Sequence, residues 1–72
     1  MRTALAYIRA ARGLSQVELA KRSGVAQTTI SAIERGDCVP IVRTIAQLAV
    51  ALDMQPADLD RQLQPEERRE TA

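Results

Sequence analysis

Histidine, tryptophan and phenylalanine are absent from the 72-residue chain, and cysteine and tyrosine occur once each. Without histidine there is no Cys/His zinc pattern and no Ser/His or Cys/His nucleophilic arrangement, and the lone Cys38 cannot close an internal disulfide. A carboxylate pair is the remaining catalytic tool. A domain this small with one aromatic residue is not expected to build a pocket of ~300 Å³ around such a pair. The residues point away from an enzyme, and they call for no metal and no cofactor. Cys38 reads as a small hydrophobe or a plain surface thiol. Long apolar runs are lacking too: charge breaks every stretch before the ~18 residues of a membrane span. Arg9 and Arg12 interrupt any apolar signal-peptide core near the N-terminus, so the expected location is the cytoplasm.

What is present is one domain's worth of chain, enough to bury about 60% of the unfolded surface. Hydrophobic residues make up 46% and charged residues 26%. The net charge of +1 conceals an asymmetry: residues 1–43 carry seven basic side chains against three acidic, and residues 44–72 carry three against six. A basic front half suits a polyanion such as nucleic acid. Chance in a short chain produces the same imbalance, so charge alone does not decide.

Apolar residues recur at spacings of three and four, and no alternating β-branched run appears, so the pattern predicts helices throughout. The first, about Thr3 to Arg12, places Leu5 and Ile8 on one face and ends at Gly13. Leu14 turns back toward the core. Ser15-Gln16-Val17-Glu18 has the form of a capping box and opens a second helix that stops at Gly24. A third runs from Gln27 to Arg35 with Ile30 and Ile33 on its buried side, and Gly36 ends it. Its opposite face carries Gln27, Thr28, Ser31, Ala32 and Arg35, small and polar with one basic end, unlike the Lys and Glu pairs of an ordinary exposed helix. A fourth helix, about Val42 to Leu52, buries Ile45, Leu48, Ala49 and Leu52, with Pro40 barring an earlier start and Asp53 at its end. Pro56 and Asp58 open a fifth whose apolar contacts are Leu59 and Leu63. From Gln64 no large apolar residue remains, so residues 1–63 form the expected domain and 64–72 a polar, disordered tail.

The second and third helices, joined by a turn through Gly24, make a helix-turn-helix with Ala20 small at the closest approach. Four stretches carry a wider resemblance: Gly13-Leu14-Ser15-Gln16-Val17-Glu18-Leu19-Ala20, Gly24-Val25, Thr29-Ile30-Ser31-Ala32-Ile33-Glu34-Arg35-Gly36 with Pro40, and Leu48-Ala49-Val50-Ala51-Leu52. In these the chain resembles the phage repressor and Cro type of helix-turn-helix domain, also called the Xre family, over about residues 3 to 60. The resemblance implies an all-α, compact five-helix bundle that binds double-stranded DNA to regulate transcription.

It also implies roles, position by position. Gln27 opens the recognition helix, where its amide suits the N6 and N7 edge of adenine, while Thr28 and Ser31 offer hydroxyl or methyl contacts and Ala32 suits a thymine methyl. A merely solvated face is the competing reading for each. Gln16 resembles a phosphate-contacting glutamine that also braces the first residue of the recognition helix. Arg35 and Arg43 fall where the family touches phosphate, although Arg35 could equally satisfy helix carbonyls and Arg43 be only solvated. Arg9 and Glu34 match a structural ion pair between first and third helices. Two positions depart from the family pattern: Ala26 and Ile41 stand where polar caps usually open the third and fourth helices. Ile41, Val42 and Val39 form an apolar cluster that suits either core or a subunit interface.

One recognition helix reads too few base pairs for useful discrimination, so a homodimer on a near-palindromic operator is expected, through the fourth and fifth helices around Val50, Met54 and Leu63. A stand-alone repressor leads; a restriction-modification controller and an antitoxin, each controlling its own operon, are alternatives. A helical protein-interaction adaptor that has lost DNA binding is the reading from another class.

Overall fold

The computed structural model describes residues 4–63. Five helices follow in order: α1 Ala4–Ala11, α2 Gln16–Ser23, α3 Gln27–Arg35, α4 Val42–Ala51 and α5 Pro56–Leu63. Strands are absent among the described residues, and the all-α architecture expected from periodicity is present. The expected disordered tail, 64–72, lies outside the described residues.

The longest of these helices has 10 residues, below the ~12–15 at which an isolated helix becomes even marginal in water. Tertiary burial must therefore hold them. Leu5, Leu19, Ile30, Ile33, Leu48, Leu52 and Leu59 are almost completely enclosed, so every helix or its end supplies at least one aliphatic anchor. Burying each such side chain contributes about 1.5–3 kcal/mol. α2 packs on α3 and α4, α4 on α5, and α1 on α3 and α5. The one aromatic residue takes no part: Tyr7 is 79% exposed.

Three helix ends use one device. Leu14 N–H bonds Arg9 O at 3.2 Å and Gly13 N–H bonds Ala10 O at 2.9 Å. The same pair of bonds recurs from Asp37 to Ala32 and Gly36 to Ile33, and from Met54 to Ala49 and Asp53 to Val50. This is the Schellman closure, which needs one left-handed residue. Gly13 at φ 70° and Gly36 at φ 83° supply it without steric cost, but in the third case the residue is Asp53, at φ 59°. An aspartate tolerates that conformation better than most residues and less well than glycine. Beside it, Arg12 donates its Nε–H to Leu52 O, tying the end of α1 to the end of α4.

The helix starts divide as the sequence suggests. Glu18 N–H donates to Ser15 Oγ at 3.0 Å and Ser15 N–H to Glu18 Oε1 at 2.9 Å, completing the capping box. Ala26 and Ile41 make no side-chain cap for α3 and α4. The apolar cluster whose place was open is outside the core: Val39, Ile41 and Val42 are all exposed.

Candidate nucleic-acid interface

The turn between α2 and α3 sets the direction of α3. Gly24 stands at φ 77°, and its N–H bonds Ala20 O at 2.9 Å. Val25, buried, then pins the chain to the core, and its N–H donates to the buried Ser23 Oγ at 3.1 Å. That bond holds the turn closed and satisfies a buried hydroxyl. Ser23 is a part of the site that the sequence reading passed over; a serine two residues before the anchoring valine is the signal for it.

With Ile30 and Ile33 turned inward, the other side of α3 faces out. Gln27 and Thr28 are exposed, and neither side chain has a hydrogen bond among the described residues. Ser31 and Ala32, one turn on, are half-buried. Arg35 is exposed but engaged: its Nε donates to Asp37 Oδ2 at 3.0 Å and its Nη1 to Ser31 Oγ. It does not satisfy the helix carbonyls, the alternative considered for it, since both of its partners are side chains. Arg43 is exposed in the first turn of α4, without an ion pair among the described residues.

Behind this face lies a polar network. Arg9 Nε donates to Glu34 Oε2 at 2.6 Å and its Nη2 to Oε1 at 3.1 Å, with the two side chains only 15% and 6% exposed. The third guanidinium nitrogen, Nη1, donates to Leu14 O at 2.7 Å. Gln16 Nε2 donates to Glu34 Oε1 at 3.0 Å. The paired carboxylate holds the Arg9 proton above the ordinary arginine value, outweighing the opposing effect of burial. Gln16 thus braces α3 near its C-terminal end, at Glu34, and makes no bond to Gln27 at its start as the resemblance implied. Two charged acceptor oxygens within reach outcompete a neutral amide at the far end of the helix.

Elsewhere the surface holds an open groove of about 640 Å³ walled by Arg12, Asp53 and Asp58 over Val50 and Met54. It is a surface groove and not the pocket around a carboxylate pair that so small a domain was not expected to build. The groove is open to solvent, and Asp58 in its wall is paired with Arg61 at 2.7 Å. Among the described residues no group of three or more His, Cys, Asp or Glu side chains could hold a metal ion. No helix of the described residues is long and apolar enough to cross a membrane.

Two short helices locked by a glycine turn, with a small polar face outward on the second, define a helix-turn-helix domain. Comparison with known proteins agrees: the family model described as a helix-turn-helix domain matches residues 2–62. Two relatives from Sinorhizobium fredii (strain NBRC 101917 / NGR234) are both named uncharacterized HTH-type transcriptional regulators. The chain is 41% identical to y4dJ over 54 residues, covering 75% of this chain and 70% of that one. It is 40% identical to y4dL over 57 residues, covering 79% of this chain but 29% of that longer protein. The crystal structure of the restriction-modification controller protein C.AhdI from Aeromonas hydrophila matches with a TM-score of 0.73 at 40% identity, over 76% of this chain and 83% of that one. The chain belongs to the helix-turn-helix family of DNA-binding transcriptional regulators.

Proposed function

We infer that this domain binds double-stranded DNA sequence-specifically by laying α3 in the major groove, as a homodimer on a near-palindromic operator, and represses transcription in the cytoplasm without catalysis. The observation that carries this reading is the outward face of α3, where Gln27 and Thr28 stand exposed with no internal partner while Ile30 and Ile33 anchor the opposite side. A free carboxamide at the start of a groove-inserted helix suits adenine's N6 and N7 edge, a contact worth about 1–3 kcal/mol of discrimination. Thr28, Ser31 and Ala32 supply the shorter contacts that follow along the helix. Gln16 and Arg43 contact phosphate around them, whereas Arg35, at the position the resemblance assigns to phosphate, is held by Asp37 and Ser31; the Gln16 amide retains a second hydrogen for that purpose beyond the one given to Glu34.

The homodimer through α4 and α5 is supported by exposed apolar side chains on α4. Val50 is 78% and Val42 82% exposed, Met54 lines one groove with Val50, and Met54 and Leu63 are half-buried against the domain's own core. The similarity to a restriction-modification controller favours a second reading, in which the chain regulates its own operon in such a system. The test is selection of duplexes from a random pool with purified protein, followed by binding of the recovered site by wild type and Gln27→Ala at two salt concentrations. The expected result is an enriched palindrome, bound about 5- to 150-fold more weakly per half-site by the variant and weakened by salt. No enrichment by a folded protein would overturn the reading and favour a protein-interaction adaptor.

A further inference from the structure

Asp37 lies just past the end of α3, outside the residues so far given a role at the DNA. Its carboxylate accepts from Arg35 Nε at 3.0 Å, and the same guanidinium donates through Nη1 to Ser31 Oγ. The three side chains form a chain, Asp37 to Arg35 to Ser31, that runs back along the outward face of α3. This has two chemical consequences. A serine hydroxyl that already accepts from a guanidinium has its own O–H left to donate, and an arginine facing a carboxylate is less available to phosphate.

We propose that Asp37 is a specificity-determining residue: it holds Arg35 against Ser31, so that Ser31 presents its O–H as a donor to the base edge and Arg35 is withheld from indiscriminate phosphate contact. The proposal rests on α3 being the groove-reading helix. A donor at Ser31 favours acceptor edges, the guanine O6 and N7 or the thymine O4, over the amino edge of cytosine, for which a single lone pair remains. Without Asp37, Arg35 is free to neutralise a phosphate, and the Ser31 hydroxyl is free to turn back to a carbonyl of its own helix. Non-specific affinity then rises while base preference at that position falls.

The experiment uses the full chain as wild type, Asp37→Asn, Arg35→Ala and the double variant. Binding to a random-sequence duplex is followed across a salt series, and each protein is put through selection from the same random pool. Asp37 is exposed, so Asp37→Asn is expected to keep the wild-type unfolding midpoint. For Asp37→Asn the expected result is a log-log salt slope steeper by about 0.9 per protomer, or about 3.5-fold more affinity lost over a fourfold rise in salt. Its selected site should also show a flattened preference at one base pair per half-site. In the Arg35→Ala background, the Asp37 change should lose most of its effect. Two results would overturn the proposal: an unchanged slope and site in Asp37→Asn, or an equal effect of the Asp37 change with Arg35 absent. If Gln27→Ala abolishes selection while Asp37→Asn is inert, only this proposal fails; if wild type selects nothing, the α3 reading fails with it.

Discussion

Replacing Glu34 by alanine removes the acceptor of two bonds from Arg9 and one from Gln16 at the point where α1, α2 and α3 meet. The remaining guanidinium, 15% exposed while paired, would keep its Leu14 carbonyl bond with no charge opposite. Breaking a buried pair from one side costs about 3–5 kcal/mol. A chain of 72 residues has a total stability of about 4–11 kcal/mol, at 0.05–0.15 kcal/mol per residue. The variant should therefore keep only a fraction of its stability. With no tryptophan to report unfolding, far-ultraviolet circular dichroism against urea is the suitable assay. At a slope of about 1 kcal/mol per molar urea for so small a protein, the midpoint should fall by about 3 M or the variant be unfolded without denaturant. The companion variant Arg9→Met/Glu34→Leu removes both charges and should recover most of the loss, because an apolar pair of similar volume carries no desolvation penalty. A shift below about 1 M for Glu34→Ala, or a double variant as unstable as the two single changes added together, would refute the account of the pair as a coupled buried unit.

Two further outcomes follow from the helix ends. Asp53→Gly should raise stability by about 0.5–1 kcal/mol in the same assay, because the left-handed Schellman position then costs no side-chain strain even after the greater entropy of glycine in the unfolded chain is counted; a loss of stability would refute it. The Glu18 carboxyl is held below its ordinary value of 4.5 by the Ser15 N–H and then the Ser15 hydroxyl. Its contribution is therefore complete above that value and lost as pH falls through the depressed one, so the advantage of wild type over Glu18→Gln in thermal unfolding should shrink from about pH 5 downward. A difference between the two that stays constant with pH would exclude the linkage.

Local signals carried most of the architecture into the sequence. Gly13, Gly24 and Gly36 mark three helix ends, and the Ser15 to Glu18 spacing marks a start, because each acts on backbone groups within a turn of itself. Exposure of Gln27 and Thr28 was legible as well, since helical phase relative to Ile30 and Ile33 decides it. The bonds that escaped are those whose partners are chosen by the tertiary fold. Arg12 finds Leu52 O 40 positions away, and Gln16 finds Glu34 18 positions away. No local pattern distinguishes these acceptors from others that the same flexible side chains could reach. Asp53 escaped in another way: its place just beyond α4 was visible, but its left-handed backbone was not, because that position is normally held by glycine.

The two ends of α3 are secured by different means, and the difference bears on how the domain can read a groove. The C-terminal end is fixed by Glu34 in its network, by the Schellman bonds of Gly36 and Asp37, and by the Asp37–Arg35–Ser31 chain. The N-terminal end is held by the Gly24 turn, the Ser23–Val25 bond and the buried Val25, with no side-chain cap at Ala26; a capping serine or threonine there would contribute about 1 kcal/mol. Gln27 and Thr28 thus sit on the less stabilised end of a helix whose angle is set from the other end. Groups that must adapt to a ligand belong where local stability is lowest, and groups that set geometry belong where it is highest. On α3 the long, adaptable carboxamide occupies the first kind of place and the short hydroxyl of Ser31 the second. A misplacement of α3 would therefore cost Ser31 its contact before Gln27, which is why loosening at Asp37 should register first as lost base preference and not as lost affinity.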